Sequence, residues 1–439
     1  MRKARLTDPL KKRQFRRLAA SYAVNELGDW MGIVALSVLV FDRTGSALAT
    51  AALFLGTRFL PALIAPILVA KVEQPPPRFA LPVIYCGEAA AFGALALFAG
   101  NDFLLIGVIV LATIDGALAL TGRALTRAVV AALLEPRGEL RAGNAVLNVA
   151  FTGSAALGPG IAGLIVAGFG VQSALLLDAA SFYAIAWILL TAGPLPQAEP
   201  DPGLVRDRVR AGIAYIRERP TLRRLLVAQG AAFVFFAAVI PIEVIYSKET
   251  LGVGDSGYGL LLASWGVGMV LGSFVFALVR RAPLPVLLFF STLAVGAGYL
   301  GLAAAPTLAF ACAASVVGGA GNGVQWVSAI SAVQELTVAG MQARVMSVLE
   351  SIGAAMPGVG YLLGGLIASA IDPRATFLVA GIGVLAIVAI AVPLMGAKWP
   401  ESRGNTGPGG LDAEEAIMVE LIPVGGRSTP ARSDSEVVS

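Results

Sequence analysis

The feature that most constrains this chain is the recurrence of apolar runs about 20 residues long, the length an α-helix needs to cross a ~30 Å hydrocarbon core. The first six fall at Arg16–Val40, Ser46–Ala70, Phe79–Gly100, Phe103–Leu120, Gly143–Ala167 and Val171–Ala192. After a polar stretch six more follow at Leu225–Ile245, Gly257–Val279, Pro283–Ala304, Leu308–Val333, Val345–Ala370 and Ala375–Met395. Inside hydrocarbon a backbone must satisfy its own hydrogen bonds, so each run is expected to be a helix. The composition agrees, because only 14% of the residues are charged, against about 25% in soluble domains. The expected fold class is an all-α membrane protein with twelve transmembrane helices. The first run is too long for a signal peptide and follows the basic arm Lys11-Lys12-Arg13-Gln14-Phe15-Arg16-Arg17.

Lys and Arg are retained on the cytoplasmic side of a membrane, which gives the orientation. With the N-terminus inside, every one of the 32 Lys and Arg residues except Arg43, Arg58, Lys248 and Arg374 falls in a cytoplasmic segment. Both termini are therefore expected in the cytoplasm, with the chain spanning the cell membrane many times. The net charge of +4 then reflects topology, and no nucleic-acid partner is expected. The longest break carries Pro194, Pro196, Pro200 and Pro202 before an Arg-rich amphipathic piece, Leu204–Arg219, and it divides the runs six and six. The expected organisation is a six-helix bundle with a basic arm over 1–193, a cytoplasmic linker over 194–222, a second six-helix bundle over 223–397, and a disordered cytoplasmic tail over 398–439. Two local matches support a repeat: Val146-Leu147-Asn148 with Gly158-Pro159-Gly160 against Val348-Leu349-Glu350 with Gly360-Tyr361-Leu362, and Arg16-Arg17-Leu18 against Arg223-Arg224-Leu225.

The chain has no His, which excludes His-ligated zinc, Ser-His triads and His proton relays. Neither a phosphate-binding Walker sequence nor a CxxC pair is present, and the soluble segments are too short for a catalytic domain. An enzyme is not expected, nor is a cofactor or a metal. Cys86 and Cys312 lie far apart in apolar runs and are expected to pack as small hydrophobes.

Asn25-Glu26-Leu27-Gly28-Asp29-Trp30 in the first run, the turn Phe41-Asp42-Arg43-Thr44-Gly45-Ser46-Ala47 after it, and Gly153, Gly158-Pro159 and Gly163 in the fifth run carry a family signature. On these segments the chain, from about Phe15 to Met395, resembles the major facilitator superfamily, closest to its bacterial drug and macrolide efflux branch. The resemblance implies two pseudo-symmetric bundles, alternating access, and a cavity lined by the first, fourth, seventh and tenth helices. It implies a gating acid after the second helix, where Glu73 stands, although Val69 and Gln74 replace family residues and Pro75-Pro76-Pro77 follows. It also places a gating arginine near Arg123 and Arg127. The residues alone read these two as snorkelling to the headgroups from the end of the fourth run.

An ionised group near the bilayer centre costs upwards of about 2.5 kcal/mol, so Glu26, Asp29, Arg58, Glu88, Asp115, Asp178 and Glu350 each need a partner or a wet cavity. Asp29, Arg58 and Asp115 all fall about 18 Å from the outer ends of their runs at about 1.5 Å per residue. Arg58 is therefore expected to pair with Asp29, Asp115 or both, either as part of transport or as a static structural pair. Glu26 or Asp29 is the expected proton carrier. Asp178 and Glu350 lie within reach of water from opposite surfaces, and the resemblance makes the helix of Glu88 peripheral. Tyr22, Asn25, Gln229, Asn322, Gln325 and Trp326 are candidate pathway residues, and Gly158-Pro159 is an expected kink.

The expected function is secondary active transport by alternating access, with proton-coupled efflux of an amphiphilic or drug-like compound. The alternatives are an uptake permease or uniporter, and a non-transporting membrane scaffold or sensor. Expected partners are a small-molecule substrate, protons and the lipid bilayer, with the protein a monomer.

Overall fold

The computed structural model describes residues 7–72, 76–100, 103–134, 138–196, 205–279, 282–338 and 341–395. Glu73 and the tail beyond 395 lie outside the described residues. Among those described, the long elements are all helical. The first half contains α1 (Arg13–Thr44), α2 (Ala47–Phe54), a π turn at Leu55–Phe59, α3 (Leu60–Val72), α4 (Pro77–Phe98), α5 (Leu105–Leu134) and α6 (Leu140–Leu190). A separate helix, α7 (Val205–Arg217), comes next. The second half contains α8 (Pro220–Val239), which continues through a 3-10 turn at Ile240–Ile242, α9 (Glu243–Ile245) and a π turn at Tyr246–Thr250. Then come α10 (Asp255–Leu278), α11 (Leu284–Ala304), α12 (Leu308–Glu335), α13 (Gln342–Ala370) and α14 (Pro373–Met395).

Ten helical segments are long and apolar enough to cross a membrane. One of these, α6, has 51 residues, about 76 Å if straight, far more than one crossing needs. It breaks at Gly170, whose φ of 79° and ψ of 165° suit glycine, and the chain there turns back. Gly158 packs on Trp30 while Asp178 presses on Gly28 and Gly32, so α6 passes the same level of α1 twice. That division, with the 28-residue α12, brings the number of crossings to the expected twelve. Pro159 lies inside α6, where it removes a backbone donor, and the break that turns the chain back comes further along, at Gly170.

The Asp42–Ser46 turn shows why its sequence is so particular. Gly45 ends α1 in the left-handed region at φ 57°, its N–H donating to the Phe41 carbonyl at 2.8 Å. Ser46 caps α2 by accepting from the Ala49 N–H at 3.3 Å. The Arg43 guanidinium donates to the Ala99 and Gly100 carbonyls at 2.8 and 2.6 Å, satisfying the end of α4. Asp42 reaches the other half of the molecule.

The two halves meet at the end that carries this turn. Lys248 Nζ lies 2.6 Å from Asp42 Oδ1 of α1 and 2.7 Å from Asp255 Oδ1 of α10. Below it Gly163 of α6 and Gly259 of α10 touch so closely that a Cβ on Gly259 would lie 2.8 Å from the Gly163 Cα. On the other side of the molecule Phe54 packs on Tyr361 with the rings tilted at 41° and their centroids 5.6 Å apart. The opposite end carries the basic segments. There α7 docks on the second half: Ile216 joins the cluster of Leu222, Leu225 and Leu349, and the Tyr215 hydroxyl accepts from the Val338 N–H at 3.1 Å.

Candidate functional site

Helical periodicity places Tyr22, Glu26 and Asp29 on one side of α1, and tight packing leaves Tyr22 and Glu26 4% and 1% exposed. Their cation comes from α5. Arg123 Nη2 donates to Asp29 Oδ2, and its Nε lies 3.5 Å from Glu26 Oε1. Asn25 Nδ2 also reaches Asp29 Oδ2, at 3.4 Å. Arg127, one turn further along α5, is exposed and stands beside the Tyr22 hydroxyl. One guanidinium thus serves two carboxylates, in a side chain 21% exposed to the space beside it.

This corrects the expected pairing. The apolar run ends at Leu120, but α5 continues to Leu134, so Arg123 is interior to a helix. Side chains lean toward the N-terminus of their helix, which for α5 is the closed end, so Arg123 reaches back toward mid-membrane instead of down to the headgroups. Arg58 makes no ion pair with any described carboxylate. It sits exposed in the π turn, where the extra residue per turn rotates the rest of the helix, and it shares a cavity with Asp29, Asp115 and Arg123. The Arg58 network is therefore a shared cavity, and the direct pair belongs to Arg123.

Three more acids surround this cluster. Asp115 lines the same cavity, with Oδ1 buried and unpartnered. Asp178 is 0% exposed, accepting at Oδ1 from Ser181 Oγ at 3.2 Å, so the expectation that water reaches it fails. Its helix is sealed by Phe182, which packs on Tyr85 and Phe92 of α4. Glu88, discounted as peripheral, is also 0% exposed. Glu350 is exposed, as expected.

In the second half the amide residues separate. Gln325 donates to Thr292 Oγ1 of α11 at 3.4 Å and, with Gln229, lines a cavity closed by Leu288 and Ile387. Both are buried, and every residue lining this cavity belongs to the second half. Trp326, only about 100° further round α12, is 45% exposed and meets Phe233 of α8 edge-on at 6.1 Å. Asn322 shares that side, opposite the exposed Phe310 and Val317. Glu243 was missed by sequence reasoning although it stands as an acid inside an apolar run; it is 8% exposed where α8 breaks.

The chain is 28% identical over 390 residues to the multidrug efflux pump Tap of Mycolicibacterium fortuitum, covering 83% of this chain and 91% of that one. It is 26% identical over 393 residues to the Tap pump of Mycobacterium tuberculosis strain H37Rv, covering 84% and 90%. Its fold is similar to that of a mutant of the nucleoside transporter NupG, with a TM-score of 0.70 over 87% of this chain and 99% of that one at 12% identity. The profile of the transmembrane secretion effector family matches residues 5–404, and with a helical fold that doubles back at Gly170 and closes at one end, the chain belongs to that family of major facilitator transporters.

Proposed function

We propose that the protein is a proton-coupled exporter of amphiphilic organic compounds, working as a monomer in a bacterial cell membrane with both termini in the cytoplasm. The observation that carries the reading is the sharing of Arg123 between Asp29 and Glu26. Two acids compete for one guanidinium in a poorly solvated place, so protonating one releases the arginine to the other. A substrate cation arriving beside the pair has the same effect as a proton, which makes the two exclude each other as antiport requires. The basic end is the cytoplasmic one in this reading, by the retention of Lys and Arg. The contacts at Lys248 and at Gly163–Gly259 then hold the external side shut.

The cargo is inferred from the unlike walls. Ionisable groups come from the first half, while the second offers Trp326 and Phe233, a surface suited to a flat apolar body with a polar or charged end. The multidrug efflux pumps among the relatives support export as the direction. The test is ethidium movement in proteoliposomes under an imposed pH gradient. Wild type should move the dye against its gradient, while Asp29→Asn and Glu26→Gln should lose the response to the pH gradient. Two variants that both keep it would overturn the assignment.

A further inference from the structure

Glu88 makes no ion pair with Arg123 and is an isolated carboxyl. It is 0% exposed, and both of its carboxyl oxygens lack a hydrogen-bond partner. The groups that face it are Tyr85 from its own helix, Asp115 and Arg123 from α5, Asp29 from α1 and Asp178 from α6. Arg123 is the one cation among them, and its ion pairs are with Asp29 and Glu26. Gly122 of α5 leaves room beside the acid, since a Cβ there would lie 3.8 Å from Glu88 Oε1. Phe92, one turn along α4, lines the cavity that Asp29, Asp115 and Arg123 share, so Glu88 sits one helical turn from its wall.

A carboxylate with neither a cation nor a hydrogen-bond donor is strongly disfavoured in a dry interior, and a proton removes that penalty. We infer that Glu88 binds and releases a proton in each transport cycle, as a second proton site apart from the Asp29–Arg123–Glu26 cluster. Release needs a counter-charge and an exit. When a substrate cation, or protonation of both Asp29 and Glu26, displaces Arg123 from the first helix, the guanidinium turns toward α4. The Glu88 O–H bond then breaks, its proton passes by way of Asp115 to water in the cavity, and Arg123 neutralises the carboxylate left behind. Asp115 has the free acceptor this step uses, its Oδ1 being unpartnered. The inference rests on the transport reading for its place in a cycle, but proton binding at Glu88 is measurable without a gradient.

The experiment counts protons released when ethidium is added to the purified full-length protein in weakly buffered detergent. Glu88→Gln should bind ethidium and release about one proton fewer than wild type, while Glu88→Asp should match wild type. A Glu88→Gln protein that releases as many protons as wild type, or a wild type that releases none, overturns the inference. Should Glu88→Gln fail to fold, the infrared C=O band of protonated carboxylic acid supplies the readout. Ethidium should diminish it in wild type, and in Glu88→Asp the band should move; a band that ethidium leaves unchanged overturns the inference. Failure of the transport reading would show elsewhere, as wild-type ethidium flux that ignores the pH gradient.

Discussion

At the scale of single residues, Arg123 ties α5 to two acids of α1. Removing one partner of a buried ion pair costs about 3–5 kcal/mol, and partial exposure of this side chain to the cavity argues for the lower end. Arg123→Ala should therefore lower the melting temperature in detergent and cut gradient-driven ethidium flux by about tenfold or more, while Arg123→Lys should keep more of the stability than of the flux. A thermal-shift curve and a flux assay on the same preparations check this; an Ala variant as stable and active as wild type would dismiss the pairing. Arg58 makes the contrast. Arg58→Ala removes a charge from the cavity without stranding a paired acid, so its thermal stability should stay near wild type.

At the scale of elements, the closed end joins two kinds of contact with different strengths. Lys248 links α1 to α10 through Asp42 and Asp255, but with Asp42 48% exposed the pair is worth at most about 1 kcal/mol. Lys248→Ala should then shift the ratio of closed to open forms of this end by no more than about fivefold, and added salt should mimic it. Distances between spin labels placed across that end would report the shift; a completely open population would mean the ion pair was undervalued. The glycine seam is less forgiving. Gly259→Leu places a side chain where the Pro159 carbonyl and the Gly163 Cα already lie, so α6 and α10 cannot close. That variant should hold the halves apart at this end and abolish transport, read by the same label distances and by flux. The turn at Asp42–Ser46 belongs to this scale too. Its spacing was recognisable in the chain, but the partners of Arg43 and Lys248 are 56 and 206 residues away in sequence.

At the scale of the whole molecule, two bundles meeting at one end make a transporter in one of its two states. Opening the closed end must break the Lys248 pair and the glycine seam. It must also close the end where α7 docks. Because α7 is anchored on the second half through Ile216 and Tyr215, it moves with that half. The chain's own pattern settled much of this. Hydrocarbon admits only backbones that satisfy their own hydrogen bonds, so apolar runs of spanning length dictated the helices, their number and the division into two sets. Lys and Arg distribution dictated which ends are basic. The acids that pair with Arg123, Glu26 and Asp29, stood out for the same reason, because a charge in an apolar run is costly. Tertiary structure alone decided which charges meet. A hydropathy pattern carries depth but not rotation, and long side chains lean along their helix. Depth therefore pointed to Arg58, while the lean of Arg123 brought it to Asp29. Rotation likewise turned Gln325 inward and Trp326 outward from adjacent positions, and the packing of α1, α4, α5 and α6 buried Glu88, whose helix the family resemblance had made peripheral.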